Sequence, residues 1–403
     1  MTINLAVIFD TETNGGGGFY QSLSTVKIIN DFKNPNLKIV FFCTSENVQK
    51  VLFKHNIKSK ILKIGYFERF INIIDQKIFF SKILKKLRYR NSIHKISEKN
   101  KIDLFFFLGP STLIDLVKNT EYSNFIVNIW DINHKLDNYF PEFKSIETFN
   151  QKEKVLKKVV NNSFKIIVNS KKASEDIEKF YNCNQKKISI IPFNTPLPNI
   201  SKNNNKEFYN EIFDNFEIDK KNKIFFYPAQ YWPHKNHIYL FNVIKKLKKV
   251  NSDFILILTG GNKGNLEFLK KKVTEYNLEN YVKFYNFLNE DQIISLYMNS
   301  DALLMPTYVA RSTLPLLEAF YFNLPVFYSK DVLDDKYAEF VNEFDLNNED
   351  DLFLQLKEFL DGETKYKSKT SAAKIFYDHL SKKGYLGLEK IFDEYKFLSS
   401  KWK

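Results

Sequence analysis

The chain has 403 residues, 44% of them hydrophobic, and its 60 Lys+Arg against 47 Asp+Glu leave a formal charge of +13. That length exceeds one ordinary core and predicts two domains of similar size. No 18-residue charge-free apolar run occurs, which excludes a spanning helix of the usual kind, and the start lacks the basic leader of a signal peptide. Cys43 and Cys183 form neither a disulfide framework nor a metal set, so a reduced, cytoplasmic setting is expected. The positive excess fits nucleic acid, anionic lipid or phosphorylated substrates, and equally lysines dispersed over a solvated surface.

Leu5 to Phe9 reads as a buried strand, followed by Gly15 to Gly18 and a helical pattern from Phe19 to Asn30. Contiguous glycines between strand and helix permit close backbone approach, so this loop is expected beside a ligand. It is not the dinucleotide fingerprint, because its glycines are unspaced and no acid follows a second strand in the required place. Lys38 to Phe42 and Ile61 to Ile64 read as strands, with a helix from Asn47 to Lys54 between them. Phe70 to Glu98 carries Lys82, Lys85, Lys86, Arg88 and Arg90 opposite an apolar face, which suits core packing or an anionic membrane surface. Ile102 to Leu108 is a strand closed by Gly109-Pro110-Ser111, with Ser111 a helix cap. Phe125 to Trp130 is the next strand and delivers Asp131 and His134 just past its carboxyl end. Ligands of open α/β sheets bind there, so these two are the candidate catalytic pair. Strands at Lys165 to Val168, with Ser170 capping, and at Ile188 to Pro192 lead into a Pro- and Asn-rich linker, Pro192 to Asn205.

The second half restarts the alternation. Lys223 to Tyr227, Asp253 to Leu258, Val282 to Tyr285, Ala302 to Met305 and Pro325 to Tyr328 read as strands. Helices are expected at Ile238 to Val250, Glu267 to Tyr276, Asp291 to Asn299 with Asn289 as cap, Asp350 to Asp361, and Ser371 to Phe397 with a break near Gly384 and Gly387. After Met305 comes a polar loop, Thr307 to Thr313, then a helix opening at Leu314 with Pro315 in its first turn. The free N–H groups and positive dipole end of that helix suit an anion, and Glu318 lies about one turn further on. Phosphate at the amides and ribose at the carboxylate describe a nucleotide. Strands alternating with helices on both sides of one linker predict two doubly wound α/β domains.

Tyr227 to His237 (YPAQYWPHKNH), Leu258-Thr259-Gly260-Gly261, Val282-Lys283-Phe284, Tyr297 to Ala302 and Pro315 to Phe320 resemble, in order and spacing, the donor domain of the group 1 (family four) retaining glycosyltransferases. In the first half the resemblance rests on Gly15 to Gly18, Trp130 to His134 and Tyr139-Phe140-Pro141-Glu142. It implies the GT-B fold: two Rossmann-like domains facing across a cleft, with residues 1–200 on the acceptor side, 206–370 binding donor, and 371–403 crossing back. Lys235 resembles the lysine on the donor diphosphate and Glu318 the carboxylate that holds ribose. Amides at Leu314 and Leu316 would meet the phosphates, Gly16 and Gly17 would approach donor and acceptor, and Gln230, Gly260, Arg311 and Thr313 complete the donor-binding set. His134, or alternatively Asp131, resembles the acceptor-side polar group.

Two departures stand out. The family's first glutamate would fall at Ala310, and the arginine paired with the diphosphate lysine would fall at Gln230. The resemblance implies transfer of a hexose from a nucleotide diphosphate to an acceptor hydroxyl, with retention, needing no metal and no cofactor because the nucleotide-sugar is itself a substrate. The usual setting is polysaccharide or glycolipid assembly by a cytoplasmic or peripheral membrane enzyme acting on saccharide or lipid-linked acceptors. A nucleotide-sugar-binding subunit without turnover is the alternative that Ala310 and Gln230 raise. A nucleic-acid binder lacks the basic stripe with interleaved aromatics that it requires.

Overall fold

The computed structural model describes residues 2–13, 16–66, 68, 71, 90–117, 124–137, 139–192, 194–195, 219, 221–309, 314–362, 364–366 and 368–401. Most of the basic stretch from Ile71 to Arg90, most of the linker, Gly15, and the loop from Ala310 to Thr313 lie outside them. The chain forms two compact units: Met1–Ile132 with Ile146–Pro196 and Ser381–Lys403, and Asn133–Ser145 with Leu197–Leu380.

The first unit is built on a seven-stranded parallel sheet. Its strands are β1 (Ile3–Phe9), β2 (Leu37–Cys43), β3 (Ser59–Ile61), β4 (Leu104–Phe107), β5 (Asn124–Asn128), β6 (Lys165–Val168) and β7 (Ile188–Ile190), in the order β3-β2-β1-β4-β5-β6-β7. The second unit has six parallel strands: β8 (Lys223–Pro228), β9 (Phe254–Thr259), β10 (Val282–Tyr285), β11 (Ala302–Met305), β12 (Val326–Ser329) and β13 (Asn342–Phe344). Their order is β10-β9-β8-β11-β12-β13. Both are doubly wound, Rossmann-like sheets. Continuous apolar runs such as Phe105-Phe106-Phe107, fully buried, are what a sheet covered on both faces demands. In each unit the strand order reverses beside the first strand of the sheet, between β1 and β4 and between β8 and β11. Such a reversal opens a crevice at the carboxyl ends of the two strands.

Five helices matter below: α1 (Gly17–Asn30), α2 (His237–Leu247), α3 (Glu290–Asn299), α4 (Leu314–Tyr321) and α5 (Thr370–Ser399). The expected caps form. Ser111 Oγ accepts from Leu113 N–H, Ser170 Oγ from Ala173 N–H, and Asn289 closes a capping box with Gln292. Among the described residues no helix is long and apolar enough to cross a membrane.

One expectation fails. α5 runs unbroken for 30 residues through Gly384 and Gly387. A Cβ at Gly384 would stand 3.2 Å from the Pro192 carbonyl oxygen, and one at Gly387 would stand 3.1 Å from Ile191 Cγ1. Both glycines serve close packing of the helix on the chain after β7, not helix termination. Leu388, Ile391, Phe392 and Tyr395 of α5 join the core around β1, β4 and α1, and the Tyr395 hydroxyl donates to the Asp103 carbonyl at 2.6 Å. The end of the chain therefore completes the first unit. Phe392→Ala removes a ring that is 2% exposed, and we expect it to lower stability in urea unfolding by about 3–5 kcal/mol. A loss below about 1 kcal/mol would show that the first unit holds together without α5.

Candidate functional site

The loops that follow β8 and β11 meet where the second sheet reverses. After β8 the chain passes Gln230, makes a tight 3-10 turn at Pro233–Lys235, and enters α2 through Asn236, whose φ of 55° is a left-handed value that Asn tolerates. The turn is closed by the Lys235 N–H on the Trp232 carbonyl at 3.1 Å. The Tyr227 hydroxyl, from inside β8, donates to the Lys235 carbonyl at 2.9 Å. Lys235 is thus positioned from both sides of its own peptide.

After β11, Thr307 is wholly buried. Its hydroxyl lies 3.3 Å from the His234 carbonyl and 2.8 Å from the Val309 carbonyl, and the Tyr308 N–H donates to the His234 carbonyl at 3.0 Å. Ser329, at the end of β12, donates to the Thr307 carbonyl at 2.8 Å. The two loops are laced together through one carbonyl, that of His234.

Gly260 has a structural reason to be glycine. A Cβ there would stand 2.3 Å from the Ala229 carbonyl oxygen, so only glycine lets the end of β9 pass under the loop carrying Gln230. The Gln230 amide oxygen accepts from the Trp232 indole at 2.9 Å, and the Lys263 ammonium sits 5.7 Å from that ring.

Glu318 lies in α4, 7% exposed, and accepts from the Tyr297 hydroxyl of α3 at 2.6 Å. Burial, with the nearby Glu290 carboxylate adding to it, pushes Glu318 up to about 8. Leu314 and Leu316 turn buried side chains into the core, so what they offer a ligand is backbone N–H. Burial also pulls His234 down to about 2 and His237 to about 3, helped in both by the charge of Lys235. Two neutral imidazoles therefore flank the lysine. Ala310, Arg311, Ser312 and Thr313 lie outside the described residues.

The candidates from the first half of the chain divide between the two units. Gly16 precedes α1 with φ 60° and ψ −133°, a conformation for glycine alone, and a Cβ on Gly17 would meet nothing within 4 Å. Asp131 is exposed and belongs to the first unit. His134 is 2% exposed, in the short helix Asn133–Leu136 that groups with the second. Sequence reasoning passed over Asp10, immediately beyond β1, whose carboxylate hydrogen-bonds Ser111 beyond β4 and is pushed up to about 6 by burial. An acid directly after a continuous apolar strand was the available signal. Trp130 fills the neighbouring notch, where a Cβ on Gly109 or Gly18 would come within 2.5 or 2.8 Å of the indole. Among the described residues no group of three or more His, Cys, Asp or Glu forms a metal site.

Compared with known proteins, residues 208–374 match the family model of the glycosyl transferases group 1. This stretch is similar to the group 1 glycosyl transferases. It holds Lys235, Gly260 and Glu318, with the strand reversal at its centre. The O-antigen chain mannosyltransferase RfbU of Salmonella typhimurium is 27% identical over 177 residues, 43% of this chain and 44% of RfbU. The alignment thus spans less than half of that relative. Among solved structures, Anabaena Alr3699/HepE in complex with UDP-glucose superposes with a TM-score of 0.72 at 13% identity, covering 97% of this chain and 100% of its own. A glycosyltransferase from Rickettsia africae gives 0.68 at 16% identity, covering 98% of each chain. The architecture is the GT-B fold.

The Glu318 environment has a pH signature. The carboxyl ionises near its ordinary 4.5 in the unfolded chain but near 8 in the folded second unit, so folding is penalised increasingly as pH rises from 4.5 to 8. Glu318→Gln keeps an oxygen for Tyr297 and removes the titration. Its melting temperature relative to wild type should rise steadily between pH 4.5 and 8. A difference independent of pH would contradict the buried, neutral acid.

Proposed function

We propose that the protein is a retaining glycosyltransferase that moves a hexose from a nucleotide diphosphate donor to an acceptor hydroxyl. The observation that supports this reading is the lacing of the β8 and β11 loops, which holds the Lys235 turn against the start of the loop that leads from β11 to α4. A leaving diphosphate needs positive charge and oriented N–H groups as its own charge grows. Lys235 supplies the charge, and the first amides of α4 supply donors backed by the helix dipole. No metal is required in this reading. Glu318, held by Tyr297, takes the ribose hydroxyls. Gln230 contributes its amide where a second cation would sit, so Lys235 carries more of the neutralisation alone.

In this mechanism the bond from the sugar C1 to the leaving β-phosphate oxygen breaks and the acceptor oxygen bonds to C1 on the same face. The acceptor's proton passes to the departing phosphate oxygen, so configuration is retained without an enzymic nucleophile. Gly16 and Gly17 approach donor and acceptor, and His134, or alternatively Asp131, serves the acceptor side. The UDP-glucose carried by the Anabaena structure supports a nucleotide-sugar donor, and the activity named for RfbU supports a sugar-polymer setting. The basic stretch around Lys82 to Arg90 supports peripheral attachment to an anionic membrane face. Flotation with phosphatidylglycerol liposomes but not with neutral ones is expected, and equal partition would remove that attachment.

Titration calorimetry with UDP, GDP and ADP tests the donor site. We expect one nucleotide to bind, and Lys235→Ala to weaken it at least tenfold and to reduce turnover in step. Turnover nearly intact in Lys235→Ala would remove the diphosphate assignment. Binding without sugar transfer or donor hydrolysis would favour a nucleotide-sugar-binding subunit, the reading that Ala310 and Gln230 raise.

A further inference from the structure

Glu142 lies outside residues 208–374, between β5 and the helix Ile146–Asn162, yet its segment Asn133–Ser145 groups with the second unit. Its side chain is only 4% exposed. One carboxylate oxygen, Oε1, faces His234 twice: the backbone N–H donates to it at 3.2 Å and ring Nδ1 lies 2.5 Å away. The rings of Phe140 and Phe143 flank the same imidazole at 6.0 and 5.4 Å, and Phe140 reaches on to Tyr308 at 5.7 Å. A carboxylate enclosed among aromatic rings is costly unless hydrogen-bonded. Here the compensating donors both belong to the residue before Lys235.

His234 therefore stands at a junction. Its N–H and ring are held by Glu142, its carbonyl holds Thr307 and Tyr308 of the β11 loop, and the next residue is Lys235. A carboxylate only accepts, so the pair requires the imidazole hydrogen on Nδ1. The turn Pro233–Lys235 has no side-chain cap of its own. Without Glu142 it keeps its internal hydrogen bond and its carbonyl contacts but loses the side-chain acceptor that holds the His234 N–H and ring.

We propose that Glu142 is a positioning residue of the nucleotide-diphosphate site: it fixes the Nδ1–H form of His234 and, through the turn, the placement of Lys235. This rests on the donor site proposed above. It also means that the donor site takes a residue from the first half of the chain, beyond the matched domain.

The test uses the full-length protein and the nucleotide, among UDP, GDP and ADP, that wild type binds. Glu142→Ala should raise its Kd about tenfold, and Glu142→Gln, which keeps an acceptor oxygen in place, should raise it about threefold or less. Because Glu142 acts through Lys235, adding Glu142→Ala to Lys235→Ala should cost little more than Lys235→Ala alone, whereas independent sites would add. In protein labelled with ¹⁵N-histidine, a downfield Nδ1–H resonance of His234 should be present in wild type, shifted in Glu142→Gln and absent in Glu142→Ala. Wild-type affinity in both variants, fully additive losses, or an Nδ1–H signal indifferent to residue 142 would each overturn the proposal. Should Glu142→Ala fail to fold, Glu142→Gln and the resonance decide alone. If wild type binds none of the three nucleotides, the donor-site reading falls, and the dependence of the resonance on residue 142 still decides whether Glu142 sets His234.

Discussion

The His234 carbonyl, accepting from Tyr308 and Thr307, joins two loops that the strand order would otherwise leave to fray separately. Reversal between β8 and β11 makes a crevice at the sheet edge, but a crevice alone does not place a charge. Placement comes from backbone-centred bonds: Tyr227 on the Lys235 carbonyl, Trp232 on its N–H, and the β11 loop on the peptide before it. Gly260 then allows β9 to pass beneath. Each contact is short-range, so a small change in one loop is transmitted to the other.

The electrostatics of this region follow from burial. His234 and His237 are too enclosed to share the positive charge, and Glu318 is enclosed enough to stay protonated near neutrality. The two imidazoles beside Lys235 therefore carry no charge of their own. Burial outweighs the Tyr297 hydroxyl, whose donated hydrogen bond by itself favours the ionised form of Glu318.

Much of the fold was legible in the sequence because parallel strands buried on both faces write themselves as short apolar runs. Leu5 to Phe9, Ile102 to Leu108 and Asp253 to Leu258 are the clearest, and the caps Ser170 and Asn289 follow the same local logic. Gly384 and Gly387 were read as a break because a helix alone gives glycine no purpose; their purpose is the backbone of Pro192 and side chain of Ile191, nearly two hundred residues away. Of the candidate site, the sequence alone pointed to Lys235 and Glu318. Asp10 was missed because its meaning depends on Ser111 across a strand pair, and Glu142 was visible only as part of a motif whose partner lies 92 residues on. Long-range pairing of single polar residues leaves no periodicity to read.

The central claim is that the second unit's strand reversal, fixed by the loops around Lys235 and α4, is where a nucleotide diphosphate sits. Hydrogen–deuterium exchange of the full-length protein with and without saturating UDP, GDP or ADP addresses it most directly. The account predicts new protection in peptides spanning Ala229 to Asn236 and Leu314 to Phe320. Protection confined to other peptides, such as those after β1 and β4, with these two unchanged, would contradict it.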